Sequence, residues 1–103
     1  MAKAPIWQWG AVETAKAIKS GKVSSEEVVK ANIDRMKAVN PKLNAVVVDM
    51  SKDALKSARA ADKALAKGEA VGALHGVPVT IKINLDVKGQ ANSNGVVAFK
   101  DNI

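Results

Sequence analysis

Hydrophobic and polar positions divide the chain into five predicted elements and a polar tail. From Trp9 to Ser20, apolar Val12, Ala15 and Ile18 recur at the spacing of one helix face, and Gly21 supplies a stop. A second helix is predicted over about 25–39. Ser24 stands where a side chain can cap open backbone N–H groups, and Glu27, three residues on, completes a capping box. Val29, Ile33 and Met36 form its apolar stripe, with Glu26 one turn before Lys30 on the outer face. Asn40-Pro41 is expected to end it, because the residue before proline is pushed out of the helical region. A third helix is predicted over about 51–67, capped by Ser51 or Asp53 and stopped by Gly68. Ala54, Leu55, Ala58, Ala61 and Leu65 form its inner face, and Lys52, Lys56, Lys63 and Lys67 its outside.

Two stretches carry a strand signal. Leu43 to Val48 ends in a β-branched run short enough for a buried strand. From Val77 to Val87 the odd positions are all apolar, while Thr80, Lys82, Asn84 and Asp86 follow Pro78 on the even ones. That period of two predicts one apolar and one polar strand face. The tail holds Asn92-Ser93-Asn94-Gly95, which is turn chemistry. The order helix, helix, strand, helix, strand predicts an α/β architecture. Two strands alone make only a marginal sheet, so the 103 residues read as an incomplete domain.

Composition narrows the function classes. An apolar fraction of 48% and a charged fraction of 25% are those of an ordinary globular protein. Aromatic residues make up 3%, so the core must be built from Ala, Val, Leu and Ile. The formal net charge is +6, but the lysines are dispersed, with neither an arginine cluster nor interleaved aromatics to stack bases. No nucleic-acid partner is expected. The longest apolar run, Ala45 to Val48, is far short of the ~18 residues a membrane helix needs, and the N-terminal decapeptide lacks the apolar stretch of a signal peptide. Cysteine is absent, which excludes disulfides and thiolate chemistry and fits a cytoplasmic location.

Individual residues give little chemistry on their own. Among the serines, Ser24, Ser25 and Ser51 occupy helix starts, Ser20 and Ser57 have no base beside them, and Ser93 lies in a turn. His75 is the single histidine; without a partner at ligand spacing it reads as a loop residue bonded to backbone. Lys82, Asn84 and Asp86 read as solvent-facing strand residues.

Several stretches taken in order change that reading of Lys82. Leu74-His75-Gly76-Val77-Pro78-Val79-Thr80-Ile81-Lys82 resembles the segment that opens the amidase signature family. Lys19 to Val28, Asn40 to Ala45 and Ala60-Ala61-Asp62 resemble that family's N-terminal region in the same order. The resemblance covers nearly the whole chain and implies the N-terminal helices and first strands of a mixed sheet. It implies amide hydrolysis by two serines, one in a cis peptide, and a lysine that corresponds to Lys82. The serines belong to a later Gly/Ser-rich region, so the resemblance implies a segment without its nucleophile. Family members most often have aspartate after the lysine, where Ile83 and then Asn84 stand here.

A lysine acts as a base only when neutral, which takes burial and fixed hydrogen-bond partners. In the family the rest of the domain provides these, so the chain alone is expected to be inactive. A small-molecule amide is the expected substrate of the whole enzyme, with no metal or organic cofactor. The competing reading is a non-catalytic α/β module that covers the apolar face of residues 77–87 by self-association or strand exchange.

Overall fold

The computed structural model describes residues 4–103. Three helices carry the fold: α1 (Ala11–Lys19), α2 (Ser25–Leu43) and α3 (Ser51–Ala66). A 3-10 turn at Ile6–Gln8 precedes α1 and another at Val97–Phe99 lies near the C-terminus. α2 packs on α3 on one side and receives the first 3-10 turn on another. There the Arg35 guanidinium sits 4.1 Å from the Trp7 ring centre, a cation–π contact.

Most helix ends are settled by residues close in sequence. α1 and α3 both finish in Schellman motifs around a left-handed glycine. Gly21 N–H donates to the Ile18 carbonyl and Lys22 N–H to Ala17, and Gly68 and Glu69 repeat the pattern on Leu65 and Ala64. α2 opens with the capping box: Glu27 N–H donates to Ser24 Oγ at 3.0 Å, and Ser24 N–H to the Glu27 carboxylate at 3.1 Å. α3 starts differently from the sequence expectation. Its N-cap is Met50, without a side-chain cap, and the Asp49 carboxylate accepts from both the N–H and the hydroxyl of Ser51. Those bonds, the hydroxyl first, hold the Asp49 carboxyl below its usual range, with a smaller contribution from Lys37.

The predicted end of α2 also moves. The helix runs through Pro41 to Leu43. Proline there removes one N–H near the helix end, where a bond is lost most cheaply. The Asn40 side chain compensates by donating to the Val46 carbonyl at 3.0 Å and accepting from Val46 N–H at 2.8 Å. Asn44, left-handed at φ 51°, then closes the helix by donating to the Asn40 carbonyl.

The core is small and aliphatic: Ala15, Ala17, Ile18, Val28, Val29 and Ala58 are buried. Val12, expected on the buried face of α1, is 64% exposed, and Thr14 takes its place, its hydroxyl bonded to the Gly10 carbonyl. The chain exposes 7692 Å², against ~5,500 Å² for a folded monomer of this mass.

The predicted α/β fold class is not what the structure shows. Among the described residues there is no β-strand, and the chain is helical only. Both strand stretches exist as chain without partners. Leu43 is the last residue of α2 and Asn44 is left-handed, so the expected strand over 43–48 is interrupted at its start. Residues 77–82 form no ladder, and a turn follows at once, with Leu85 N–H donating to the Lys82 carbonyl. Alternation specifies which side chains would share a face, but a strand is made by a neighbour's hydrogen bonds. Val79 at 74%, Ile81 at 54% and Leu85 at 60% exposure leave half of that face uncovered, while Val77, Ile83 and Val87 are half-buried.

Candidate functional site

The segment that carries Lys82 leaves the helical layer at a tightly built corner. The first turn of α2 has open N–H groups, and they are satisfied by two different helices. Ser24 takes the Glu27 N–H. The Asp62 carboxylate, projecting from α3, takes Ser25 N–H at 2.7 Å and Glu26 N–H at 3.0 Å. A carboxylate at a helix N-terminus gains both from the charge-assisted bonds and from the helix dipole. Beside it, Arg59 reaches across from α3 to the Glu26 carboxylate at 2.8 Å, an exposed pair worth at most ~1 kcal/mol.

The loop after α3 is clasped onto this corner. Ser25, only 1% exposed, donates its hydroxyl to the Gly76 carbonyl at 2.7 Å. His75 donates from Nε2 to the Ala61 carbonyl at 2.8 Å. The loop is further closed by its own turns, His75 N–H to Gly72 and Val77 N–H to Leu74. Gly76 has φ +82°, and a Cβ built on it would lie 3.0 Å from Ser25 Cβ, 3.1 Å from Ser25 Oγ and 3.3 Å from Ile18 Cδ1. Glycine takes that conformation without strain, and any side chain there would press on both neighbours.

Six residues beyond Gly76, Lys82 is exposed, and its ammonium makes no hydrogen bond or ion pair among the described residues. The neighbours that share its predicted face are engaged elsewhere. Asn92 donates its side-chain amide to the Asp86 carboxylate at 2.6 Å and to the Asn84 carbonyl at 3.2 Å. The Asn92 N–H and the Asn102 carbonyl then tie this loop to the C-terminal residues at 2.7 Å. No serine is bonded to Lys82: Ser20, Ser24, Ser51 and Ser93 have the partners of caps and turns, the Ser25 hydroxyl is taken by the Gly76 carbonyl, and Ser57 is exposed on α3. An open groove of about 320 Å³ lies between α1, α3 and the 71–75 loop, lined by Val12, Ile18, Leu65, Leu74 and the lysines Lys16 and Lys19. Lys82 is not part of it. Among the described residues no group of three His, Asp or Glu side chains could hold a metal, and no helix is long and apolar enough to cross a membrane.

Sequence reasoning placed His75 against backbone, where it is found, but missed the parts played by Asp62 and Ser25. Asp62 carried a signal. It falls between Ala58, Ala61 and Leu65 on the apolar face of α3, and a carboxylate on such a face requires a partner. The hydroxyl of Ser25 carried none, because a serine at a helix start already has an ordinary explanation in capping.

Comparison with known proteins agrees with the geometry of the helical layer. The family model described as Amidase matches residues 27–103. An indoleacetamide hydrolase of Bradyrhizobium diazoefficiens is 63% identical over 101 residues, 98% of this chain and 19% of that protein. Fatty-acid amide hydrolase 2-B of Danio rerio is 41% identical over 89% of this chain and 19% of its own length. The crystal structure of a bacterial aryl acylamidase of the amidase signature enzymes superposes with a TM-score of 0.86 at 35% identity, over 95% of this chain and 20% of that one. The chain thus spans about a fifth of the length of the relatives it matches.

Proposed function

The chain belongs to the amidase family, and from that premise we propose that it is the N-terminal part of an enzyme that hydrolyses carboxylic amides, with Lys82 as its catalytic base. The position of Lys82 at the end of the Leu74 to Lys82 motif, inside the matched span 27–103, carries this reading. The high identity to an indoleacetamide hydrolase supports a primary amide of an arylacetic acid as the substrate class. A cysteine-free composition supports a cytoplasmic location.

In this mechanism a serine hydroxyl outside these residues adds to the amide carbonyl while its proton passes through a second serine to neutral Lys82. The C–N bond then breaks as the proton is returned to the leaving nitrogen, and water hydrolyses the acyl-serine. A lysine can do this only in a site that removes it from water. The exposed ammonium in the present structure has no such surroundings. For the 103-residue chain alone we therefore expect amide turnover at background.

The test is a chimera in which this chain replaces the matching segment of the Bradyrhizobium hydrolase, assayed by ammonia release from indoleacetamide. The chimera should turn over; Lys82→Ala should fall to background. Lys82→Arg should be equally inactive, because guanidinium stays protonated. Near-parental turnover by Lys82→Ala sinks the assignment.

A further inference from the structure

We infer that Ser25, His75 and Asp62 are positioning residues for Lys82, a role that rests on the catalytic reading of that lysine. Three observations carry it. First, Gly76 is the last described residue that hydrogen-bonds to the helices. Its carbonyl accepts from Ser25, whereas among the described residues no hydrogen bond joins residues 78–103 to α1, α2 or α3. Second, the tie is held from two helices at once. Ser25 on α2 grips Gly76 while its own N–H is held by Asp62 of α3, and Ala61, the neighbour of Asp62, receives the His75 ring. Third, the approach is close: a Cβ on Gly76 would lie 3.0 Å from Ser25 Cβ and 3.3 Å from Ile18 Cδ1, so either neighbour would have to give way.

The consequence is geometric. Lys82 lies six positions beyond Gly76, a reach of at most ~20 Å. Over that length a rotation of ~5° at the anchor moves the lysine by ~2 Å, and ~1 Å of misplacement can cost ~100-fold in rate. The clamp therefore sets where Lys82 enters the site, and it acts through the lysine.

Three variants in the chimera test this, with rates expressed per folded molecule. Ser25→Ala removes the donor to Gly76. His75→Leu removes the donor to Ala61, and His75→Gln puts an amide N–H near the place of Nε2. We expect Ser25→Ala and His75→Leu to lower kcat ~10–100-fold with KM within about twofold, and to move the acid limb of the kcat–pH profile, because the base then sits in altered surroundings. His75→Gln should recover most of the rate. Unchanged kcat and acid limb in Ser25→Ala and His75→Leu, or a His75→Gln as impaired as His75→Leu, overturns the clamp. If His75→Leu does not fold, Ser25→Ala decides between the same outcomes. The underlying reading fails separately, through a Lys82→Ala chimera that still turns over, whatever the clamp variants do.

Discussion

Gly76→Ala isolates the tightest contact in the chain. Two costs arise on substitution. A non-glycine residue held at φ +82° carries a left-handed strain of ~1–2 kcal/mol. The new methyl group meets Ser25 Cβ, which is fixed to the α2 backbone, at 3.0 Å and the terminal Ile18 Cδ1 at 3.3 Å, and both residues are buried. Overpacking of that kind costs ~1–3 kcal/mol. The same shift endangers the bond from the buried Ser25 hydroxyl. Gly68→Ala is the matched control: its φ is +74° and its added Cβ meets nothing within 4 Å. Strain and the loss of unfolded-state freedom act alike at both sites, so the difference between the two variants is the packing cost, ~1–3 kcal/mol. With a urea slope of ~1.5 kcal/mol/M, that difference is a midpoint lower by ~1–2 M in Gly76→Ala than in Gly68→Ala. Helical circular dichroism through a urea titration of the 103-residue chain measures it. Midpoints within ~0.2 M of each other would refute the reasoning, because the docked loop would then be free to move away from α1 and α2.

Other consequences are separable. Asp62→Ala leaves two N–H groups of α2 open and should cost ~2–3 kcal/mol in the same titration. Glu26→Ala breaks an exposed pair and should cost under ~1 kcal/mol, a loss that vanishes in 1 M salt. Asn40→Ala removes both bonds to Val46; amide exchange should show the last turn of α2 frayed back to Pro41 at a cost of ~1–2 kcal/mol. Protected amides at Leu43 and Asn44 in that variant would count against the compensation proposed for Pro41. Asp49 is held low by Ser51, so its stabilising contribution is present above the unfolded carboxylate range and is lost as pH falls through its lower folded value. Ser51→Ala should move the Asp49 titration upward in a carboxyl NMR experiment; an unmoved curve would show that the hydroxyl is not the main cause.

The helices were legible because their signals are local. Ser24 and Glu27 close a capping box within one turn, and Gly21 and Gly68 end helices through bonds to residues three and five positions back. Nothing distant is needed to fix them. Pro41 misled because the general rule about the residue before proline holds only when nothing offsets it. Here the Asn40 amide offsets it by bonding a residue six positions ahead, a distance at which no sequence pattern is informative.

The strands failed for the opposite reason. The alternation from Val77 to Val87 is real in the sequence and still specifies two faces, but a sheet requires neighbours, and the residues present provide none. The same division runs through the site. Resemblance could point to Lys82 and local pattern could assign its face, yet neither could show how the lysine is delivered. On the proposed reading, that depends on Asp62 meeting Ser25 across 37 positions and on Ser25 meeting Gly76 across 51. Asp62 alone advertised a partner, by placing a charge on an apolar face; which partner was not encoded locally. On the proposed reading, the helical layer contributes to catalysis by direction: it holds the start of the segment that carries Lys82 and leaves the chemistry of the lysine to whatever encloses it. On that division of labour, clamp variants should change the placement of the base, and only Lys82 variants should remove it.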